Sequence, residues 1–101
     1  MATAFDLISA LDETVALLNR HGATHWAKWF ERDRELVAKG DFFGVEHLLT
    51  AFGGMGSFND LYLCKSNGHA ISENEESEVN ANLSRLSARL YDVLRREREK
   101  H

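Results

Sequence analysis

The chain has 101 residues, no proline, one cysteine and a formal charge of −4, with hydrophobic residues at 44% and charged residues at 28%. That length fits a single domain over residues 1–101, large enough to bury a core without staples. The lone Cys64 excludes an internal disulfide, and the acidic balance argues against a nucleic-acid binder, whose affinity comes mostly from neutralising phosphates.

No apolar run approaches the roughly 18 residues needed to cross a bilayer. Met1-Ala2-Thr3-Ala4-Phe5-Asp6 has no basic start followed by an apolar stretch, so no signal peptide is read and a cytoplasmic location is expected.

The first helix is expected from about Ala4 to His21. Leu7, Ile8, Leu11, Val15 and Leu18 recur at helical steps, and Gly22 is placed to end it. Thr24 is set to cap a second helix from His25 to Lys39, closed by Gly40. Its stripe is Trp26, Trp29, Phe30, Leu36 and Val37, with Glu31, Arg32, Arg34 and Glu35 on the wet side. Asp41 heads a shorter third helix through Phe52, stopped by Gly53 and Gly54.

From Gly53 to Ser72 the pattern is irregular. Ser57 and Asp60 could open a one-turn helix by capping-box logic. Equally, Leu61–Cys64 and His69–Ile71 flank Asn67-Gly68, a two-residue hairpin signal. The hairpin is the preferred reading. Ser72 with Glu75 then caps the last helix, whose seam is Val79, Leu83, Leu86, Leu90 and Val93. After Leu94 the chain is nearly all charge, and residues 95–101 are expected to project or fray. The fold class is therefore all-α: a compact bundle of about four helices with a glycine-rich loop and a small hairpin before a long C-terminal helix.

Gly53, Gly54, Gly56, Ser57, Asn59 and Asp60 form the most unusual stretch. A glycine-rich loop entering a helix can offer N–H groups to a phosphate, yet no Walker lysine follows and the spacing does not fit G-x-G-x-x-G. A structural turn is the stronger reading. His21 and His25 are separated by a helix-breaking glycine, and Cys64 with His69 makes two ligands where a structural zinc site wants four. No metal or cofactor is expected. No nucleophile, base and orienting group can be assembled, so no catalytic residue is assigned and the chain is not read as an enzyme.

Trp26 and Trp29 sit at core spacing, although a domain this small need not bury both indoles. Glu73, Glu75, Glu76 and Glu78 crowd the start of the last helix, where they complement its dipole or could steer a basic partner.

The runs His25-Trp26-Ala27-Lys28-Trp29-Phe30, Val45-Glu46-His47-Leu48-Leu49 and Phe52-Gly53-Gly54-Met55-Gly56-Ser57-Phe58-Asn59-Asp60-Leu61, with the Asn67-Gly68-His69 turn, resemble a family of short bacterial proteins catalogued as a domain of unknown function. The resemblance implies a bacterial source and a compact helical domain, with no activity to carry over. In size, charge and helicity the chain is also similar to small acidic immunity proteins, a likeness of fold alone. The function expected is protein binding, in the form of an immunity-type inhibitor of a toxin. The alternative is a small ligand-binding or regulatory module built on the 53–60 loop. The coiled-coil spacing of the last seam leaves a homodimer open.

Overall fold

Four helices follow one another along the chain: α1 (Ala4–Arg20), α2 (Thr24–Ala38), α3 (Phe43–Thr50) and α4 (Glu76–Glu99). This computed structural model describes residues 4–53 and 56–100. Helix α1 packs on α2 and α4, while α3 bridges α2 and α4.

Both glycine stops are realised in the same way. After α1, Ala23 N–H reaches back to Leu18 O at 2.9 Å, with Gly22 at φ +73°. After α2, Asp41 N–H reaches Leu36 O at 2.9 Å, with Gly40 at φ +81°. These are six-to-one closures of the Schellman type. Because Ala23 closes α1, α2 begins at once: Thr24 is its first residue and Ala23 occupies the N-cap, without a side-chain cap bond. Asp41 does serve α3, accepting the Phe43 N–H on Oδ1 at 3.0 Å. That helix ends at Thr50, two residues earlier than the pattern suggested.

Leu7, Leu11 and Leu18 of α1, Phe30 of α2, Leu48 of α3, and Leu90 and Leu94 of α4 are fully buried together. Burying each such side chain contributes about 1.5–3 kcal/mol. The α4 seam is turned into the chain's own core, with Leu83, Leu86, Leu90 and Val93 buried and Val79 packed at its edge.

The charged end of α4 differs from expectation. The helix continues to Glu99, and Glu97 is buried beside Lys100 Nζ at 3.0 Å. Glu97 continues the Leu90–Leu94 stripe at helical spacing. Asp92 pairs with Arg95 and Arg96, and the basic residues suit the negative end of the dipole.

The expected hairpin does not form; among the described residues there is no strand. The chain instead makes two 3-10 turns, Phe58–Asp60 and Lys65–Asn67. The reason lies in competing partners. Leu63 gives its N–H to Asn80 Oδ1 at 2.8 Å, and Asn80 Nδ2 donates to Leu63 O at 2.7 Å. Ala70 N–H donates to His21 O at 2.9 Å, while the His21 ring bonds Ala70 O at 2.8 Å. A carbonyl only accepts, so His21 Nδ1 carries the proton. Cys64 and His69 do meet across the turn, with His69 N–H donating to Cys64 O at 3.2 Å and Cys64 N–H to the His69 ring at 3.1 Å, but beyond them Leu63 and Ala70 are taken by α4 and by the end of α1.

Candidate functional site

Positions 25, 28, 29 and 32 lie along one face of α2 by helical spacing, and α3 sets His47 beside them. His25, Lys28, Trp29, Arg32 and His47 line a cleft of about 220 Å³. Close helix approach makes it possible. At Gly44 an added Cβ would stand 2.9 Å from Leu36 Cβ and 3.0 Å from Asp33 O, so only glycine lets α3 come this near.

Beneath the cleft lies Asp33, only 1% exposed. The spacing that buries Phe30 and Val37 buries Asp33 between them. His47 Nδ1 bonds Asp33 Oδ2 at 2.7 Å, which orients the ring and leaves Nε2 away from the carboxylate. Burial pushes the Asp33 carboxyl above the usual aspartate range, opposed by His47, the Arg32 charge and the Trp29 indole N–H. The Trp29 contact is loose. Among the described residues, neither Trp29 Nε1 nor Asp33 Oδ1 makes a hydrogen bond of ordinary geometry.

Above this pair is an aromatic stack. Trp29 and His47 are nearly parallel at 4.7 Å and 13°, and Phe43 stacks on His47 at 5.7 Å and 16°. Phe43 remains 53% exposed. Arg34 is paired with Asp12 and Arg89 with Glu13, but neither Lys28 nor Arg32 has a hydrogen bond or ion pair among the described residues. The cleft is a cationic spot on an acidic protein. It contains a base and an orienting carboxylate, but no serine, threonine or cysteine lines it.

The glycine-rich loop serves the core. Phe58 is buried and packs edge-on against Phe30 at 4.8 Å and Phe52 at 5.6 Å, with Trp26 at 5.5 Å. Asp60 accepts the Gly56 N–H at 2.7 Å, and Asn59 donates to Phe52 O at 2.9 Å. Left-handed backbone is needed at Gly56, with φ +77°, whereas Gly53 is not at positive φ. Ser57 is buried with its hydroxyl unpaired, and Gly54 lies outside the described residues. Beside the loop runs a groove of about 420 Å³, walled by Phe52, Phe58 and Leu61 on one side and by Leu83, Ser87 and Tyr91 of α4 on the other.

The acidic run divides. Glu75 accepts the Ser72 N–H at 3.3 Å within a turn before α4, which begins only at Glu76 with Glu75 at its N-cap, so the expected capping box does not form there. Glu76 takes a hydrogen bond from Tyr62 that raises the phenol's pKa. Glu73 and Glu78 are exposed. Trp26 and Trp29 are both half-buried, Trp26 facing the Phe58 cluster and Trp29 the cleft. Among the described residues, no three His, Cys, Asp or Glu side chains gather where they could hold a metal ion. No helix among the described residues is long and apolar enough to cross a membrane.

Residues 19–72, just over half of the chain, match the family described as "Domain of unknown function (DUF6966)". The chain belongs to this family. The DUF6966 segment runs from the end of α1 to the residue that precedes Glu73. It holds the whole cleft, Asp33 and the glycine loop, while the helices that complete the core, most of α1 and all of α4, lie outside it. Comparison with curated proteins and with solved structures gave no match.

Proposed function

We propose that this protein is a small bacterial binding protein that acts in the cytoplasm by docking a partner protein, in the manner of an immunity-type inhibitor of a toxin. One observation carries the reading: the Phe43–His47–Trp29 stack, half-buried but capped by the exposed Phe43, near Lys28 and Arg32, which are unpaired among the described residues. Tryptophan and arginine are the residues that most often anchor interfaces, and aromatics with them. No step of bond making is assigned to the cleft; its His47–Asp33 pair is read as orienting the ring.

The test is affinity capture from the native host with the wild-type chain and with a Phe43→Ala/Arg32→Ala variant as bait. A partner retained by the first and lost by the second supports the reading, provided both baits melt alike. If the captured partner is encoded beside this gene and is toxic, co-expression with the wild type should restore growth and co-expression with the variant should not. Equal capture by both baits would remove this face from consideration.

A second reading, a small ligand-binding module, is favoured by the groove between the 53–60 loop and α4, whose 420 Å³ lies in the range of small-molecule sites. A thermal-shift screen of metabolites with Tyr91→Ala as control tests it.

A further inference from the structure

We propose that the cleft between α2 and α3 is a binding site for a phosphomonoester group. It lies on the face of the proposed function but stands without it. Lys28 and Arg32 are one helical turn apart on α2, exposed, and unpaired among the described residues. His25 and His47 add two imidazoles, and no carboxylate lines the cleft. Of the acids near in sequence, Asp33 lies under the floor, Glu31 accepts a hydrogen bond from Asn19 at 3.0 Å, and Glu35 and Glu46 are exposed outside the lining. In a chain of net charge −4, such a concentration of donors, with no carboxylate in its lining and the buried Asp33 beneath it, selects for an anion.

Three features narrow the class. Two full charges and two imidazoles exceed what a single carboxylate needs, and match a group with two charges and three terminal oxygens. The Asp33 bond fixes the His47 ring and leaves Nε2 as its free nitrogen. That nitrogen can donate to a phosphate oxygen when protonated, or accept from a monohydrogen phosphate when not. Trp29 in the lining, with the exposed ring of Phe43 stacked on His47 next to it, supplies apolar surface suited to the carbon body of an ester rather than to a bare ion. A volume of about 220 Å³ admits a group of side-chain size.

The test is an NMR titration of the full chain, at fixed pH and ionic strength, with phenyl phosphate, inorganic phosphate and benzoate. Phenyl phosphate should move the His25, Trp29 indole and His47 resonances saturably, with Kd of about 1 mM or tighter. Inorganic phosphate should bind the same residues more weakly, and benzoate should not saturate. Lys28→Ala/Arg32→Ala should weaken phenyl phosphate at least tenfold with an unchanged melting temperature. Phe43→Ala should weaken phenyl phosphate several-fold and leave inorganic phosphate alone. Non-saturating shifts, binding of benzoate equal to that of phenyl phosphate, or indifference to the double substitution would overturn the site. Equal binding of phenyl and inorganic phosphate would overturn the ester assignment. Because no partner protein enters the titration, its failure leaves the capture experiment untouched, and failed capture leaves the titration untouched.

Discussion

Replacing His47 by alanine strands the Asp33 carboxylate under the α2–α3 contact. Asp33 is 1% exposed, and its only hydrogen bond of ordinary geometry among the described residues is to His47, at 2.7 Å. Breaking a fully buried charged pair by removing one partner costs about 3–5 kcal/mol. The His47 side chain is 36% exposed, so water can replace part of what it supplied. A charged hydrogen bond of about 1.5–3 kcal/mol sets the lower scale. The expected loss for His47→Ala at pH 7 is therefore about 2–3 kcal/mol, or about 10–20 °C in melting temperature for a domain of this size.

Asp33→Asn should behave differently. The amide removes the buried charge, can keep one bond to His47 if the ring takes its other tautomer, and can accept the Trp29 N–H. It should remain within about 1 kcal/mol of wild type. The pH dependence follows from the raised Asp33 pKa. Because the folded state holds this proton more tightly than the unfolded state, the associated stabilisation is complete below about pH 4. It is lost as pH rises through the raised value. The His47→Ala penalty should accordingly shrink towards roughly pH 3.5, where Asp33 is neutral. Urea unfolding of wild type and both variants at the two pH values is the assay. Equal losses for His47→Ala and Asp33→Asn, or a His47→Ala penalty independent of pH, would refute the account of a desolvated carboxylate held by its histidine.

Asn80→Ala frees both backbone groups of Leu63 inside the protein, and should cost about 2–4 kcal/mol at neutral pH by chemical denaturation. Gly44→Val should force α2 and α3 apart and lower stability by about 1–3 kcal/mol; an unchanged melting temperature would contradict the close approach. Gly56→Val should destabilise more than Gly53→Ala, since only the former puts a β-branched residue at positive φ; thermal melts of the two decide it. Glu73→Gln/Glu78→Gln should lower stability by about 1 kcal/mol or less and leave capture of any partner on the α2–α3 face unchanged, measured by association rate at two salt concentrations.

The helices were legible because their signals are local. Leu7, Leu11 and Leu18 mark a face, and Gly22 and Gly40 mark ends, whatever the rest of the chain does. The cleft was legible only in parts. Trp26 and Trp29 stood out as aromatic, while Asp33, pairable with Glu46 in the sequence, counted as one carboxylate among many in an acidic protein, although it occupies the stripe of Phe30 and Val37. The same signal, one polar residue within an apolar stripe, marks His21 after Leu17 and Leu18, and Asn80 before Leu83. What no local pattern shows is the distant partner: Asp33 for His47, Leu63 for Asn80, Ala70 for His21. The hairpin reading failed for that reason. Asn67-Gly68 does turn the chain, with Gly68 at φ +83° and Cys64 bonded to His69 across it, yet farther out the flanking segments find a side chain of α4 and a helix end in place of each other.

Those two clamps alter how the connection between α3 and α4 should respond to change. Its composition is that of a loop, which ordinarily accepts inserted residues at small cost. Here Leu63 and Ala70 are fastened at one end of the bundle, to the start of α4 and to the exit of α1, so the segment acts as a tie between the two helices. Residues added at the Asn67-Gly68 tip lengthen only the slack between the two fastenings. Residues added between Phe58 and Leu63 pull one fastening out of register and loosen the tie. The amide hydrogens of Leu63 and Ala70 should accordingly exchange with solvent as slowly as those of the helices, while their neighbours at the tip exchange fast.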